Sequence, residues 1–171
     1  MRAERGFSLI ELLIVVAVIL VIAAIAIPSL LQARMSANEA SAVGSLNAIK
    51  SAEFTYFNTY PTVGYASQLA DLGGTKPCVA APSTACLIDD VLATAIPGSV
   101  GKSGFVFSAI GSASGSTINS TFVSGGSPIT VNKTGNREFC STSDGVLRSQ
   151  MSAGGVPVTT VAACQAFPVS Q

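Results

Sequence analysis

The sequence predicts an α+β protein in which one long N-terminal helix packs on a small antiparallel β-meander. Residues 7–58 contain a single proline and follow a helical pattern, whereas the chain from Ser103 onward is rich in Gly, Ser, Thr, Val and Phe and divides into short strand-like runs. A chain of 171 residues leaves room for one domain of about 110 residues beyond the first part of the helix.

The helix begins with an apolar run that is long enough to cross a membrane. No polar side chain occurs from Leu12 to Ile27, and with residues 28–31 the run is 20 residues long. About 20 residues of helix cross the ~30 Å hydrocarbon core of a bilayer. Two arginines outnumber Glu4 on the N-terminal side, so the positive-inside bias predicts that Met1 lies in the cytoplasm and that the rest of the chain is exported.

Glu11 lies at the start of this apolar run and requires a partner. An ionisable group inside a span costs about 2.5–3.5 kcal/mol on insertion scales and usually pairs with another group. Arg5 lies six residues earlier, outside the i, i+3 and i, i+4 positions that share a helix face. We therefore expect the cation that neutralises Glu11 to come from outside its own helix.

Residues 6–11 (GFSLIE), with a basic leader before them and an apolar helix after them, resemble the type III signal of the type IV pilin family. The resemblance implies that a prepilin peptidase cuts after Gly6 on the cytoplasmic side and that the new N-terminal residue, Phe7, is N-methylated. It also implies that Glu11 pairs with the N-terminal amine of a neighbouring subunit during filament assembly. Pro28 would be a helix break that can unwind on assembly, since proline removes one backbone hydrogen bond.

Cleavage after Gly6 is chemically consistent with a charge on Glu11. It removes both arginines of the leader and creates a cationic amine at Phe7, four residues before Glu11. The mature chain keeps seven basic and eight acidic side chains of the original nine of each, a formal side-chain charge of minus one. Such a balance gives no electrostatic reason to expect nucleic acid as a partner.

The resemblance also implies a domain organisation and a set of partners. Residues 1–6 would be a cleaved leader, 7–31 a transmembrane and assembly helix, 32–58 its amphipathic continuation and 59–171 an exported globular domain. The protein would be a structural subunit, or pilin, of a type IV pilus. It would stand in the inner membrane with a periplasmic domain before assembly, and in a surface filament afterwards. Its partners would be copies of itself, the prepilin peptidase, the assembly platform and minor pilins.

Two alternatives remain open at the N-terminus. A pseudopilin of a type II secretion system carries the same signal but forms a short periplasmic piston. A Sec-exported or singly anchored binding domain is the second alternative, since Ala24-Ile25-Ala26 fits the small-residue cleavage pattern. Its apolar core would exceed the expected length of about 7–15 residues and would contain Glu11. The mature chain begins at Phe7 for either pilin-like protein, and at Ile27 or Met1 for the other alternative.

Residues 32–58 predict an amphipathic continuation of the helix, because they contain no proline and their apolar residues recur at helical spacing. An outer apolar stripe needs a partner, and the domain that follows can supply it. Aromatic residues at 54, 56, 57 and 60 are interpreted as packing groups rather than as an electron-transfer array. The predicted stripe consists of Ala40, Val43, Leu46, Ile49, Phe54 and Phe57.

Short elements are predicted after the long helix, which ends at Tyr60-Pro61. Two short helices are expected at 65–72 and 87–96, each followed by a glycine or proline stop signal. An antiparallel meander with glycine-rich turns can bury one face under the helix and leave the other in solvent. Its five predicted strands are 104–110, 117–124, 129–133, 137–141 and 146–150.

Four cysteines in an exported segment indicate disulfides. A zinc site is the alternative, but the chain has no histidine and the cysteine gaps lack the tight spacing of zinc ligands. Three pairings are possible, and we take the local pairs, Cys78 with Cys86 and Cys140 with Cys164, as a hypothesis. The second pair would hold residues 151–163 against the strand that contains Cys140, in a C-terminal loop similar to that of many type IV pilins.

No catalytic constellation is apparent. Without histidine there is no Cys/His pair, and GGTK at 73–76 lacks the spacing and the Ser/Thr of a phosphate-binding loop. Asp89 and Asp90 are adjacent, so their side chains diverge by about 100° on a helix and are poorly placed to share a proton or an ion. We predict a protein that is not an enzyme and that has no cofactor or metal.

Overall fold

The computed structural model describes residues 7–113, 115 and 117–170. Gly6, the residue before the predicted cleavage point, lies outside the described residues, as does the rest of the leader. The chain divides into two compact units at the junction of Arg34 and Met35. The predicted fold class is confirmed, because a long N-terminal helix packs on a four-stranded antiparallel sheet.

The long helix, α1, spans Leu9–Thr59 and starts two residues later than predicted. The carbonyl oxygen of Ser8 accepts hydrogen bonds from the amides of Glu11 and Leu12, at 3.1 and 3.2 Å. These bonds satisfy amide groups that the first turn of a helix would otherwise leave unpaired. The end at Thr59 agrees with the stop that Pro61 imposes on the residue before it.

Pro28 lies inside α1, in agreement with the single helix predicted over residues 7–58, and unwinding at this residue on assembly stays a prediction. The helix continues across this residue without interruption. Proline removes a single backbone hydrogen bond from a helix interior, and the neighbouring residues of α1 are mostly good helix formers such as Leu, Ala and Gln. The local loss is therefore tolerated in the structure of the single chain.

The buried stripe of α1 in the second unit differs in part from the predicted one. Leu46 and Ile49 are buried as predicted, whereas Ala40 is exposed and Phe54 is 38% exposed. Two glutamates are buried in their place. Both accept hydrogen bonds from the domain, which allows a polar side chain in a buried position. The buried residues of the helix are Glu39, Ala42, Ser45, Leu46, Ile49, Ala52, Glu53 and Tyr56.

The two predicted short helices are much shorter in the structure. A 3₁₀ helix covers only Leu69–Leu72, and α2 covers only Asp90–Ala93. Residues 65 and 66 are not helical because their backbone groups bond elsewhere: Tyr65 donates to Asn119 and Ala66 accepts from Gly111. Asp89 is the N-cap of α2, and its carboxylate accepts a hydrogen bond from the amide of Leu92 at 3.1 Å.

Four of the five predicted strands are present and form a meander in the order β1-β2-β3-β4. Each pair of neighbours is antiparallel. The second strand begins four residues later than predicted, because the backbone of Asn119 pairs with Val63 and Tyr65 instead. The strands are β1 Phe105–Ser112, β2 Thr121–Pro128, β3 Arg137–Thr142 and β4 Leu147–Met151.

The predicted strand at 129–133 is wrong, and this segment is a tight turn between β2 and β3. The amides of Lys133 and Thr134 both donate to the carbonyl oxygen of Thr130. Asn132 has a φ of 63°, a left-handed conformation that asparagine tolerates better than most residues. The β-branched residues of this segment therefore gave a strand-like pattern without forming a strand.

Both faces of the sheet are covered in the structure. One face carries Phe105, Phe107 and Phe139 and packs on the buried stripe of α1. The opposite face carries Val123 and Cys140 and packs under the C-terminal segment, which includes a short helix, α3, at Val161–Gln165. The sequence allowed one solvent-exposed face, but the C-terminal segment buries it.

Candidate functional site

The first unit exposes an apolar helical surface. Within the described chain, α1 is the one helix that is long and apolar enough to cross a membrane, judged by length and composition alone. Between residues 9 and 31 its large apolar side chains are exposed, from 47% at Val16 to 81% at Leu9. Such a surface is unfavourable in water, so this part of α1 requires lipid or other apolar helices around it.

Phe7 and Glu11 lie at the beginning of this surface. The Phe7 side chain is 79% exposed and precedes the first turn of α1, in which Glu11 lies. None of the ion pairs of the described residues includes Glu11. A cation that neutralises Glu11 therefore stays a prediction.

Glu39 lies in the part of α1 that belongs to the second unit, and its side chain bonds to the start of β3. Its carboxylate accepts hydrogen bonds from the backbone amides of Asn136 and Arg137, at 2.8 and 3.0 Å, and from Nε of Arg137 at 2.9 Å. Burial alone would raise the pKa of Glu39, but these hydrogen bonds outweigh it and the pKa is lowered. Glu39 is therefore ionised at neutral pH.

Glu53 lies four helical turns farther along α1, in a different environment. Its side chain is fully buried. Oε2 accepts one hydrogen bond from the amide of Ala66 at 2.9 Å, and Oε1 has no partner among the described residues. Burial raises the pKa of Glu53 to about 8; the Ala66 amide opposes this effect and the charge of Asp71 adds to it. Glu53 is therefore mostly protonated at pH 7.

The structure contains both disulfides that the sequence predicted. Cys78 and Cys86 are joined with a Cα to Cα distance of 6.1 Å, and Cys140 and Cys164 with one of 5.8 Å. All four cysteines of the chain are thus paired and do not form a zinc site. Cys140 and Cys164 are fully buried and attach α3 to β3, whereas Cys86 is exposed.

Comparison with known protein families finds a match at the N-terminus of the chain. Residues 1–27 match the family described as the prokaryotic N-terminal methylation motif. The chain carries this methylation motif. It covers three of the residues singled out in the sequence, Gly6, Phe7 and Glu11, and ends one residue before Pro28.

A protein similar to this chain is the type IV wide pilus major component PilA4 of Thermus thermophilus. The two are 42% identical over 74 residues, which make up 43% of this chain and 56% of the relative. The chain thus spans about half the length of the curated relative that it matches. No solved structure matches the chain.

The methylation motif and the two buried glutamates are separate features of α1. The motif was recognisable from six residues of sequence, whereas the roles of Glu39 and Glu53 were not predicted. A signal for them exists in the sequence. Positions 39, 42, 46, 49, 53 and 56 follow each other at alternating intervals of three and four, which is the spacing of one helix face.

Proposed function

We propose that this protein is a structural subunit of a type IV pilus, cut after Gly6 by a prepilin peptidase, N-methylated at Phe7 and polymerised through α1. The methylation motif and the similarity to a pilus component support this proposal. The observation that carries it is the combination of that motif with an exposed apolar stretch of α1, residues 9–31, in which Glu11 is the one acidic side chain and belongs to none of the ion pairs of the described residues.

Cleavage would supply the missing partner. Hydrolysis of the peptide bond after Gly6 consumes one water molecule and frees the amine of Phe7, which is mostly cationic at neutral pH because an α-amino group has a pKa of about 7.7–8.0. A carboxylate in an apolar environment is stabilised by a cation at close range. The amine of one subunit would therefore pair with Glu11 of its neighbour as their helices come together.

Assembly would also resolve the exposure of the apolar side chains. Lipid surrounds them while the subunit stands in the inner membrane, and neighbouring copies of α1 replace the lipid in the filament. The apolar surface then never faces water, so that transfer out of the bilayer does not incur the full cost of its hydration. Pro28, which the single chain accommodates within a continuous helix, is the position at which we expect α1 to unwind on assembly.

The globular domain would lie in the periplasm before assembly and at the cell surface afterwards. Two disulfides in the second unit agree with an oxidising compartment. In this proposal the subunit contributes no catalysis, and the peptidase, the assembly platform and minor pilins are separate chains. The role of a filament subunit requires only that one surface of each copy recognises a different surface of the next copy.

The first test is the mass and the N-terminal sequence of the mature chain isolated from its native host. We expect N-methylated phenylalanine at Phe7. A chain that begins at Ile27 or remains uncut at Met1 would refute the proposal and favour a Sec-exported or singly anchored domain. Sheared surface filaments that contain the chain would then distinguish a pilus from the periplasmic piston of a type II secretion system.

The second test replaces Glu11. We expect Glu11→Gln and Glu11→Val to be cleaved after Gly6 at the normal rate but to enter filaments poorly, because the neighbour's amine loses its carboxylate. Ser8→Ala is the matched control, since it changes a nearby polar residue without removing a charge. Filaments at the wild-type level with either Glu11 variant would show that charge pairing is not the role of this residue.

A further inference from the structure

The three tyrosines of the chain lie in one region: Glu53 acts on Tyr56 and Tyr65, and Tyr60 lies against Tyr56. The rings of Tyr56 and Tyr60 are tilted by 55° with centroids 4.8 Å apart, and the Tyr65 ring contacts Phe122 at the same distance. The charge of Glu53 acts on the hydroxyl groups of both Tyr56 and Tyr65. The chain has no tryptophan, so the near-ultraviolet tyrosine signal reports on this site.

The hydrogen bond to Glu53 holds the segment that connects α1 to the sheet. This connecting segment, residues 63–66, places the amide of Ala66 on the Glu53 carboxyl group at 2.9 Å. On its other side, the carbonyl oxygen of Ala66 accepts from Gly111 of β1 at 2.8 Å, and Tyr65 donates to Asn119 at 2.9 Å. Glu53 is thus the side chain through which α1 bonds directly to the backbone of this segment.

The groups that face Glu53 do not compensate a negative charge. Asp71, in the 3₁₀ helix, adds a second negative charge to the site, and Tyr56 and Tyr65 are neutral acids. No lysine or arginine acts on Glu53 among the described residues. An ionised Glu53 would have one amide donor for two buried oxygens, which is a costly arrangement for a buried charge.

We infer that Glu53 is a protonation-controlled site: its neutral form is buried stably beneath the connecting segment, whereas its ionised form, although it strengthens the single Ala66 hydrogen bond, requires water at its unpaired oxygen and so opens the segment in mildly alkaline solution. Since the folded-state pKa is raised to about 8, the stabilisation is fully present below the pKa of an unfolded glutamate and is lost as the pH rises through about 8. Both disulfides and the four-stranded sheet lie outside residues 63–66, so we expect the change to be local.

The test is a pH titration of the full chain in detergent micelles, followed by near-ultraviolet circular dichroism of the tyrosines from pH 5 to 9.5. We expect the wild-type signal to decrease with a midpoint near pH 8, below the ionisation of the buried tyrosines, whose pKa values burial raises. Glu53→Gln cannot ionise and should show no such transition. Asp71→Asn removes the neighbouring negative charge and should move the midpoint to a lower pH.

Glu39→Gln is the matched control, because it removes a buried carboxyl group from the other end of the same helix face. It should keep the wild-type midpoint. A wild-type signal that stays constant to pH 9.5 would overturn the inference, as would an unchanged transition in Glu53→Gln. If Glu53→Gln does not fold at any pH, the transition of Asp71→Asn is the remaining test. A midpoint at lower pH than in the wild type supports the inference, and an unchanged midpoint contradicts it.

Discussion

Glu39→Ala removes every side-chain hydrogen bond that joins α1 to the first residue of β3. The backbone amides of Asn136 and Arg137 lose their acceptor, and the Arg137 guanidinium loses its carboxylate. An unsatisfied buried donor costs about 1–3 kcal/mol, and these amides are only partly buried, so that each is placed at the lower end of this range. The exposed ion pair contributes about 1 kcal/mol or less. We therefore expect the free energy of unfolding to decrease by about 2–3 kcal/mol.

Thermal unfolding of the full chain in detergent micelles, followed by far-ultraviolet circular dichroism, measures this effect. For a unit of this size the expected loss corresponds to a decrease in Tm of about 6–15 °C. Asn47→Ala is the matched control, since Asn47 is exposed on the same helix and should change the stability by less than about 0.5 kcal/mol. A Glu39→Ala variant as stable as this control would refute the argument.

The pH dependence of the same contact gives an independent check. The pKa of Glu39 is lowered in the folded protein, so its contribution is present above the pKa of an unfolded glutamate and is lost as the pH falls through the lower, folded-state value. The difference in Tm between the wild type and Glu39→Gln should therefore decrease with acidification below about pH 4.5. A difference that is constant from pH 7 to pH 3 would show that the charge of Glu39 is irrelevant to stability.

Two further predictions concern the core and the disulfides. Phe107→Ala empties a fully buried position between the sheet and α1. Urea unfolding should show that the free energy of unfolding falls by about 3–5 kcal/mol. A loss below about 1 kcal/mol would mean that neighbouring side chains fill the space left by the ring. Under limiting reductant, mass spectrometry after alkylation should show that the exposed Cys78–Cys86 bond opens before the buried Cys140–Cys164 bond. If the Cys140–Cys164 bond opened first, the exposure of the two disulfides would not determine the order in which they are reduced.

The parts of the fold that the sequence predicted are those with strong local signals. An apolar run of 20 residues and a long stretch without proline determine α1. The glycine-rich turns divide the second half into strands, four of which are present. The methylation motif is a contiguous six-residue pattern, so no tertiary contact was needed to recognise it.

The parts that were not predicted depend on contacts between distant residues. The helix predicted at 65–72 is truncated because residues 65 and 66 bond to Asn119, Gly111 and Glu53. The strand predicted at 129–133 is a turn closed by Thr130. The predicted stripe included Ala40 and Phe54 because it was built from apolar residues alone. The structure instead buries the preceding residues, Glu39 and Glu53.

The two buried glutamates of α1 differ in protonation because their surroundings differ in donors and charges. Glu39 receives two amide hydrogen bonds and a guanidinium, which stabilise its ionised form. Burial and, to a smaller extent, the charge of Asp71 stabilise the neutral form of Glu53, and its single amide donor does not outweigh them. Acidification therefore weakens the contact at Glu39, and alkalinisation makes the burial of Glu53 unfavourable. As a result, both ends of the buried helix face are stable only between the two folded-state pKa values, a range that includes neutral pH.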